Sequence, residues 1–123
     1  MRGKIRYQNF RVEIPAGFTG LFEAKYIPDD RYTNIVGLAG FEDSTAEGVY
    51  YRVGLSSDIE NYIDSVNKNA VMTSTQVAQN KKFMPVDVPT DNHLYIKVFV
   101  PAALVESIAF DLVFWLKKDE CGC

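Results

Sequence analysis

Phe10, Val12 and Ile14 alternate with Arg11 and Glu13, and this period of two recurs along most of the chain. Successive side chains of a strand point to opposite faces, so the alternation predicts strands with one buried face. Phe18, Gly20, Phe22, Ala24 and Tyr26 resume the pattern after a break at Pro15-Ala16-Gly17, and Pro28-Asp29-Asp30 makes the next turn. In RYTNIVGLAGFE, Ile35, Gly37, Ala39 and Phe41 share one side, and Val36, Leu38 and Gly40 share the other. Both sides are small or apolar. That predicts a central strand covered twice, and its glycines predict a bulge or a close backbone approach. After the polar loop EDSTAEG, Val49, Tyr51, Val53 and Leu55 share a face.

The period then changes. Ile59, Tyr62, Ile63 and Val66 follow the i, i+3, i+4, i+7 spacing of a helical face, and Ser57 with Glu60 fits a capping box. This predicts a short helix near 58–66. Period two returns in AVMTSTQVAQ, with Val71, Thr73, Thr75 and Val77 facing one way. FMPVDVP reads as an edge strand, because Pro85 and Pro89 cannot donate to a ladder. HLYIKVFV sets Leu94, Ile96, Val98 and Val100 against Tyr95, Lys97 and Phe99. PAALVES is able to open a helix, but Ile108, Phe110, Leu112, Phe114 and Leu116 then alternate cleanly, which favours a last strand. The expected fold is all-β: one antiparallel domain over residues 1–123, a β-sandwich or barrel with about eight strands and one short helix. Strands that do not alternate with full helices argue against a parallel α/β sheet.

A chain of 123 residues, 47% hydrophobic, is long enough to bury a core without staples. The net charge is −3, and no Lys/Arg run exceeds the pairs at 81–82 and 117–118. Nucleic acid is therefore not an expected partner, since phosphate binding needs clustered cations. MRGKIRYQNF is followed by no apolar signal region, and Lys97, Pro101, Glu106 and Asp111 interrupt the longest apolar stretches. No transmembrane segment is expected. The reading is a soluble protein, or one released inside assembled particles when a cell lyses.

Recognisable catalytic chemistry is sparse. Cys121 and Cys123 end the chain in DECGC, and His93 is the sole histidine. Zinc needs about four ligands, usually in separated pairs, and a catalytic thiolate needs a base and a rigid seat. The cysteines read as a tail, with a disulfide within or between copies as a second use. No G-x-S-x-G, P-loop or H-E-x-x-H is present. Asp29, Asp30, Glu42, Asp43, Glu47, Asp87 and Asp91 fall at turns and strand ends, where carboxylates serve solubility, and EDSTAEG lacks calcium-loop spacing. No catalytic residue, cofactor or metal site is assigned, and the chain is not expected to be an enzyme. The aromatics remain. Tyr95, Phe99, Val113 and Trp115 lie opposite the cleanest core faces of the last two strands. If those strands are neighbours, their second face is apolar too, so these four residues are the interface candidates. Tyr7, Tyr26, Tyr32, Tyr50, Tyr51 and Tyr62 join Tyr95 and Trp115 as candidate sugar platforms.

The stretches VEIPAGFTGLFEAKYIPDDRYTNIVGLAGF and MPVDVPTDNHLYIKVFVP give a hairpin followed by a Y-x-x-I-V-G strand, and a proline-flanked edge leading into a central strand. In this pattern the chain resembles the small jelly-roll capsid, penton or decoration proteins of bacteriophages. The resemblance implies a structural virion protein whose partners are copies of itself and other shell proteins. It supplies no site residues. The alternative is a carbohydrate- or ligand-binding module on the same sandwich, although the single Trp, embedded in LVFWLKK, favours packing or a protein contact.

Overall fold

The computed structural model describes residues 4–73 and 83–118. Among these residues the strands are β1 (Lys4–Ile14), β2 (Gly20–Tyr26), β3 (Asn34–Glu42), β4 (Arg52–Ser56), β5 (Asn61–Asn67), β6 (Met84–Pro89), β7 (Leu94–Val100) and β8 (Ile108–Lys118). A four-residue helix, α1 (Ser44–Glu47), follows β3, and a 3₁₀ turn (Lys68–Ala70) follows β5. The strands form two sheets, ordered β1-β8-β3-β6 and β2-β7-β4-β5. Every pair is antiparallel.

First pairs with last, second with seventh, third with sixth and fourth with fifth. The chain is one long hairpin rolled into two layers, and rolling adds the β3–β8 and β4–β7 pairs. This is the jelly-roll arrangement. Each pair joins an odd strand to an even one, so the connections after β1, β3, β5 and β7 gather at one end. The other end holds the remaining connections, the start of β1 and the end of β8.

The core lies between the layers. Ile108, Phe110, Leu112, Phe114 and Leu116 all point into it, as their alternation predicts, and meet Leu94, Ile96, Val98 and Val100 from the other sheet. Tyr26 stacks on Phe114 with ring centroids 4.2 Å apart, and Tyr51 stacks on Phe110 at 5.5 Å. Burial pushes both tyrosine pKa values up, and the Glu42 carboxylate adds to the effect at Tyr51.

The expected helix near 58–66 is a strand, β5. Its pairing with β4 slips twice: Val53 opposes Val66, Leu55 opposes Ile63 and Ser56 opposes Asn61. Each slip inserts an extra residue on β5, as a bulge does. Ile63 and Val66, three apart, therefore both turn towards the core, which imitates a helical period. The Ser57 hydroxyl accepts the Ile59 and Glu60 N–H groups at 3.3 and 3.2 Å, as a cap would, but here it closes the β4–β5 hairpin. Ile59 stands exposed in that turn. The helix is instead α1, within the stretch read as a loop. In AVMTSTQVAQ, Val71 caps the 3₁₀ turn and Met72 makes an isolated parallel bridge with Gly40. Thr75 and Val77 lie outside the described residues.

The glycine reading of β3 holds. The pairing shifts between Ile35 and Gly37. A Cβ on Gly37 would stand 3.2 Å from both Phe83 Cβ and Trp115 Cε3, so two large side chains occupy the space over that position. β6, with its prolines, is an edge strand as expected. The alternation of β1 runs further back than Phe10. Its first half is inverted, with Ile5 and Tyr7 exposed and Arg6 and Gln8 half-buried. Gln8 Oε1 accepts the Tyr26 hydroxyl at 2.6 Å and the Asp29 N–H at 3.1 Å, and Arg6 pairs with Asp29.

Candidate functional site

On the outer face of the β1-β8-β3-β6 sheet, one cross-strand row runs Tyr7, Trp115, Gly37 and Pro85. Because Gly37 presents no side chain there, Trp115 and Phe83 lie low over β3. Tyr7, Phe83 and Trp115 form a ring cluster with centroid separations of 5.6, 6.1 and 5.7 Å. The indole N–H is buried and has no acceptor among the described residues. Ile5 and Tyr7 are 52% and 54% exposed at the margin of the cluster. Val113 continues the apolar row towards Ala39.

The other end of this face is charged. Arg11 donates to Asp43 and Asp111, joining β1 to β8 and to the residue before α1. The hydrogen bond with Asp43 holds the guanidinium pKa above its ordinary value, Asp111 assists, and desolvation opposes.

The four interface candidates do not form one surface. β7 and β8 are not neighbours but lie in different sheets, so Tyr95 and Phe99 face away from the sandwich on the side opposite Val113 and Trp115. Phe99 lies beside Leu21 on β2, and Tyr95 beside Lys25. The Asp58 carboxylate raises the Tyr95 pKa. A shallow groove of about 460 Å³ crosses this second face above Gly54, walled by Leu21, Ile59, Ser65, Asn61 and Lys97. None of its described lining residues is aromatic. Of the candidate sugar platforms, Tyr26 and Tyr51 are core residues, while Tyr7 and Tyr50 are exposed. Cys121 and Cys123 lie outside the described residues.

One polar cluster escaped the sequence reading. The Lys68 ammonium is buried, and it donates to Glu42 Oε2 at 2.8 Å, Ala46 O at 2.9 Å and Glu47 O at 2.8 Å. Tyr51 donates to the same Glu42 oxygen at 2.7 Å, and its ring centroid lies 5.1 Å from Nζ. All three N–H groups are used, two of them on carbonyls at the C-terminal end of α1. The cluster ties β3, α1, the residue before β4 and the 3₁₀ turn together. The only sequence signal is a lone Lys between two Asn residues, which reads as surface.

No protein-family model matches the chain, and no curated protein matches it. Among solved structures, the nucleoplasmin-like N-terminal domain of Drosophila FKBP39 aligns over 99% of this chain and 96% of its own, at 12% identity and a TM-score of 0.38. That score carries no argument. A chain of the cyanophage Pam1 capsid asymmetric unit aligns over 96% of this chain and 87% of its own, at 11% identity and a TM-score of 0.57. The likeness runs through nearly the whole of both chains and is one of fold, a two-layer jelly-roll β-sandwich.

Proposed function

We propose that this chain is a non-enzymatic structural protein of a viral particle, in the first instance a phage, which packs against copies of itself or neighbouring shell proteins. The observation that carries the proposal is the end-to-end correspondence of its jelly roll with a phage capsid chain. The exposed Ile5 and Tyr7 beside the Trp115 cluster support it, because apolar side chains grouped on a sheet's outer face suit a protein contact. Fold alone does not fix function, so the site and the particle must be tested together. No helix among the described residues is long and apolar enough to cross a membrane, and the proposed location is the virion.

The experiment is to purify particles from lysed producer cells and quantify their proteins by mass spectrometry. The expected result is this chain at a fixed stoichiometry to the main shell protein, retained through density-gradient and salt washes. Its absence from washed particles would sink the proposal. Saturable binding of a glycan array by the isolated chain, with a shift in Tyr or Trp fluorescence, would support the sugar-binding alternative instead.

A further inference from the structure

Among the described residues the sandwich has four edge strands, and they are protected unequally. Exposed edges invite pairing with another chain, and prolines, bulges and charges blunt them. β6 carries Pro85 and Pro89, β5 is broken by two register shifts, and β1 carries Arg6, Arg11 and Glu13. β2 has no proline and pairs with β7 residue for residue from Gly20 to Tyr26 without a shift, and its two charges, Glu23 and Lys25, are of opposite sign and so able to pair across a two-fold axis. Among the described residues no strand neighbours its other edge. Along its outward face Leu21 precedes Glu23 and Lys25, and Ile27 follows one residue past the strand's end; Leu21 and Ile27 are each 59% exposed.

That order is self-complementary. In an antiparallel pair of two such strands with Ala24 on the two-fold axis, Leu21 meets Ile27 of the second copy, and Glu23 meets its Lys25. Each contact occurs twice. A dyad at Glu23 or at Lys25 would oppose like charges on the axis. An in-register parallel pair would oppose Glu23 with Glu23 and Lys25 with Lys25. Like charges directly opposite are destabilising, and opposite charges and apolar pairs are favourable. Leu21 already lies beside Phe99 and Glu23 beside Lys97, so the seam extends rows that exist within the sheet.

We propose that β2 is the seam of a two-fold dimer. The β2 strand of a second copy adds antiparallel about Ala24 and joins two four-stranded sheets into one of eight. Pairing from Leu21 to Ile27, one residue past the end of β2, supplies roughly six to eight backbone hydrogen bonds, within the range of about 10 ± 5 found in a standard interface. An isologous contact of this kind closes with two copies. It does not rest on the shell reading, because it concerns the isolated chain and lies on the sheet opposite Trp115.

Sedimentation velocity at tens of micromolar, with reductant present so that Cys121 and Cys123 cannot link copies, tests it. The wild type should be a dimer. Glu23→Lys alone and Lys25→Glu alone should each weaken the dimer by about tenfold or more, since both cross-seam pairs become repulsive. Thermal unfolding should show each variant still folded. Mixing the two single variants should restore a dimer with one copy of each, and the double swap Glu23→Lys with Lys25→Glu should dimerise by itself. A monomeric wild type, single variants that dimerise like wild type, or a mixture that stays monomeric would each overturn the seam. Loss of the seam would leave the particle-content test of function unaffected.

Discussion

At the scale of single residues, the polar side chains that hold the two ends of the sandwich are those the sequence conceals. Lys68 and Glu42 sit 26 positions apart, and no pattern links them. Breaking a buried ion pair by removing one partner typically costs about 3–5 kcal/mol, because the other charge stays buried without compensation. Lys68→Met should therefore lower the unfolding free energy by about that amount. Glu42→Gln alone should also destabilise, adding it to Lys68→Met should recover part of the loss, and urea denaturation of the three variants measures both effects. Two single variants that prove neutral would show that Lys68 is not a clamp. Asp29 acts at the opposite end, where Arg31 donates to it at 3.0 and 2.8 Å and Arg6 pairs with it as well. The Arg31 hydrogen bonds lead in holding its pKa well below the carboxylate range, while desolvation opposes them. A depressed folded-state pKa means that the unfolded chain takes up a proton first as pH falls. The stabilisation is thus fully present above about pH 4 and is lost progressively below it. Asp29→Asn should be less stable at neutral pH and should show a shallower fall in stability between pH 5 and 2. An unchanged acid slope in equilibrium unfolding would refute this role.

At the scale of elements, periodicity was legible wherever pairing is regular and one face is buried. β8 and β7 keep strict alternation because each pairs without a slip on at least one side, β8 with β1 and β7 with β2. β5 was misread because two inserted residues moved its core contacts out of period two. The first half of β1 was missed because its polar residues turn inward, to partners on β2 and beyond it. Gly54 is where the β5 irregularity is most constrained. A Cβ there would approach the Ile63 carbonyl oxygen to 3.1 Å, and that neighbour is backbone rather than a flexible side-chain tip. Gly54→Ala should cost about 1–3 kcal/mol by forcing β4 and β5 apart. Gly48→Ala is the control, since nothing lies within 4 Å of its added Cβ and its φ of −88° suits any residue. Equal stability of the two variants would mean that β5 yields more readily than its pairing implies.

At the scale of the whole molecule, strand count and layer type could be read from the chain, but strand order could not. Tyr95, Phe99, Val113 and Trp115 follow one another on consecutive strands, and a sequence reader naturally places consecutive strands side by side. The jelly roll sends β7 and β8 to different sheets, so the candidate surface splits into two faces. On the Trp115 face, Trp115 packs between Tyr7 and Phe83, and replacing it would open a hole in the cluster as well as alter the surface. Ile5 and Tyr7 make the cleaner test because about half of each is exposed. Burying the exposed half of such a side chain at a contact is worth about 0.8–1.5 kcal/mol, half the value for full burial, or roughly fourfold to tenfold in affinity for each. Ile5→Ser with Tyr7→Ser should leave the isolated chain folded, with a thermal midpoint within a few degrees of wild type. In particles assembled with equal amounts of wild-type and variant chain, the variant should be depleted by an order of magnitude or more. Equal incorporation would show that this face looks onto solvent in the particle, and that the chain is held there through other surfaces.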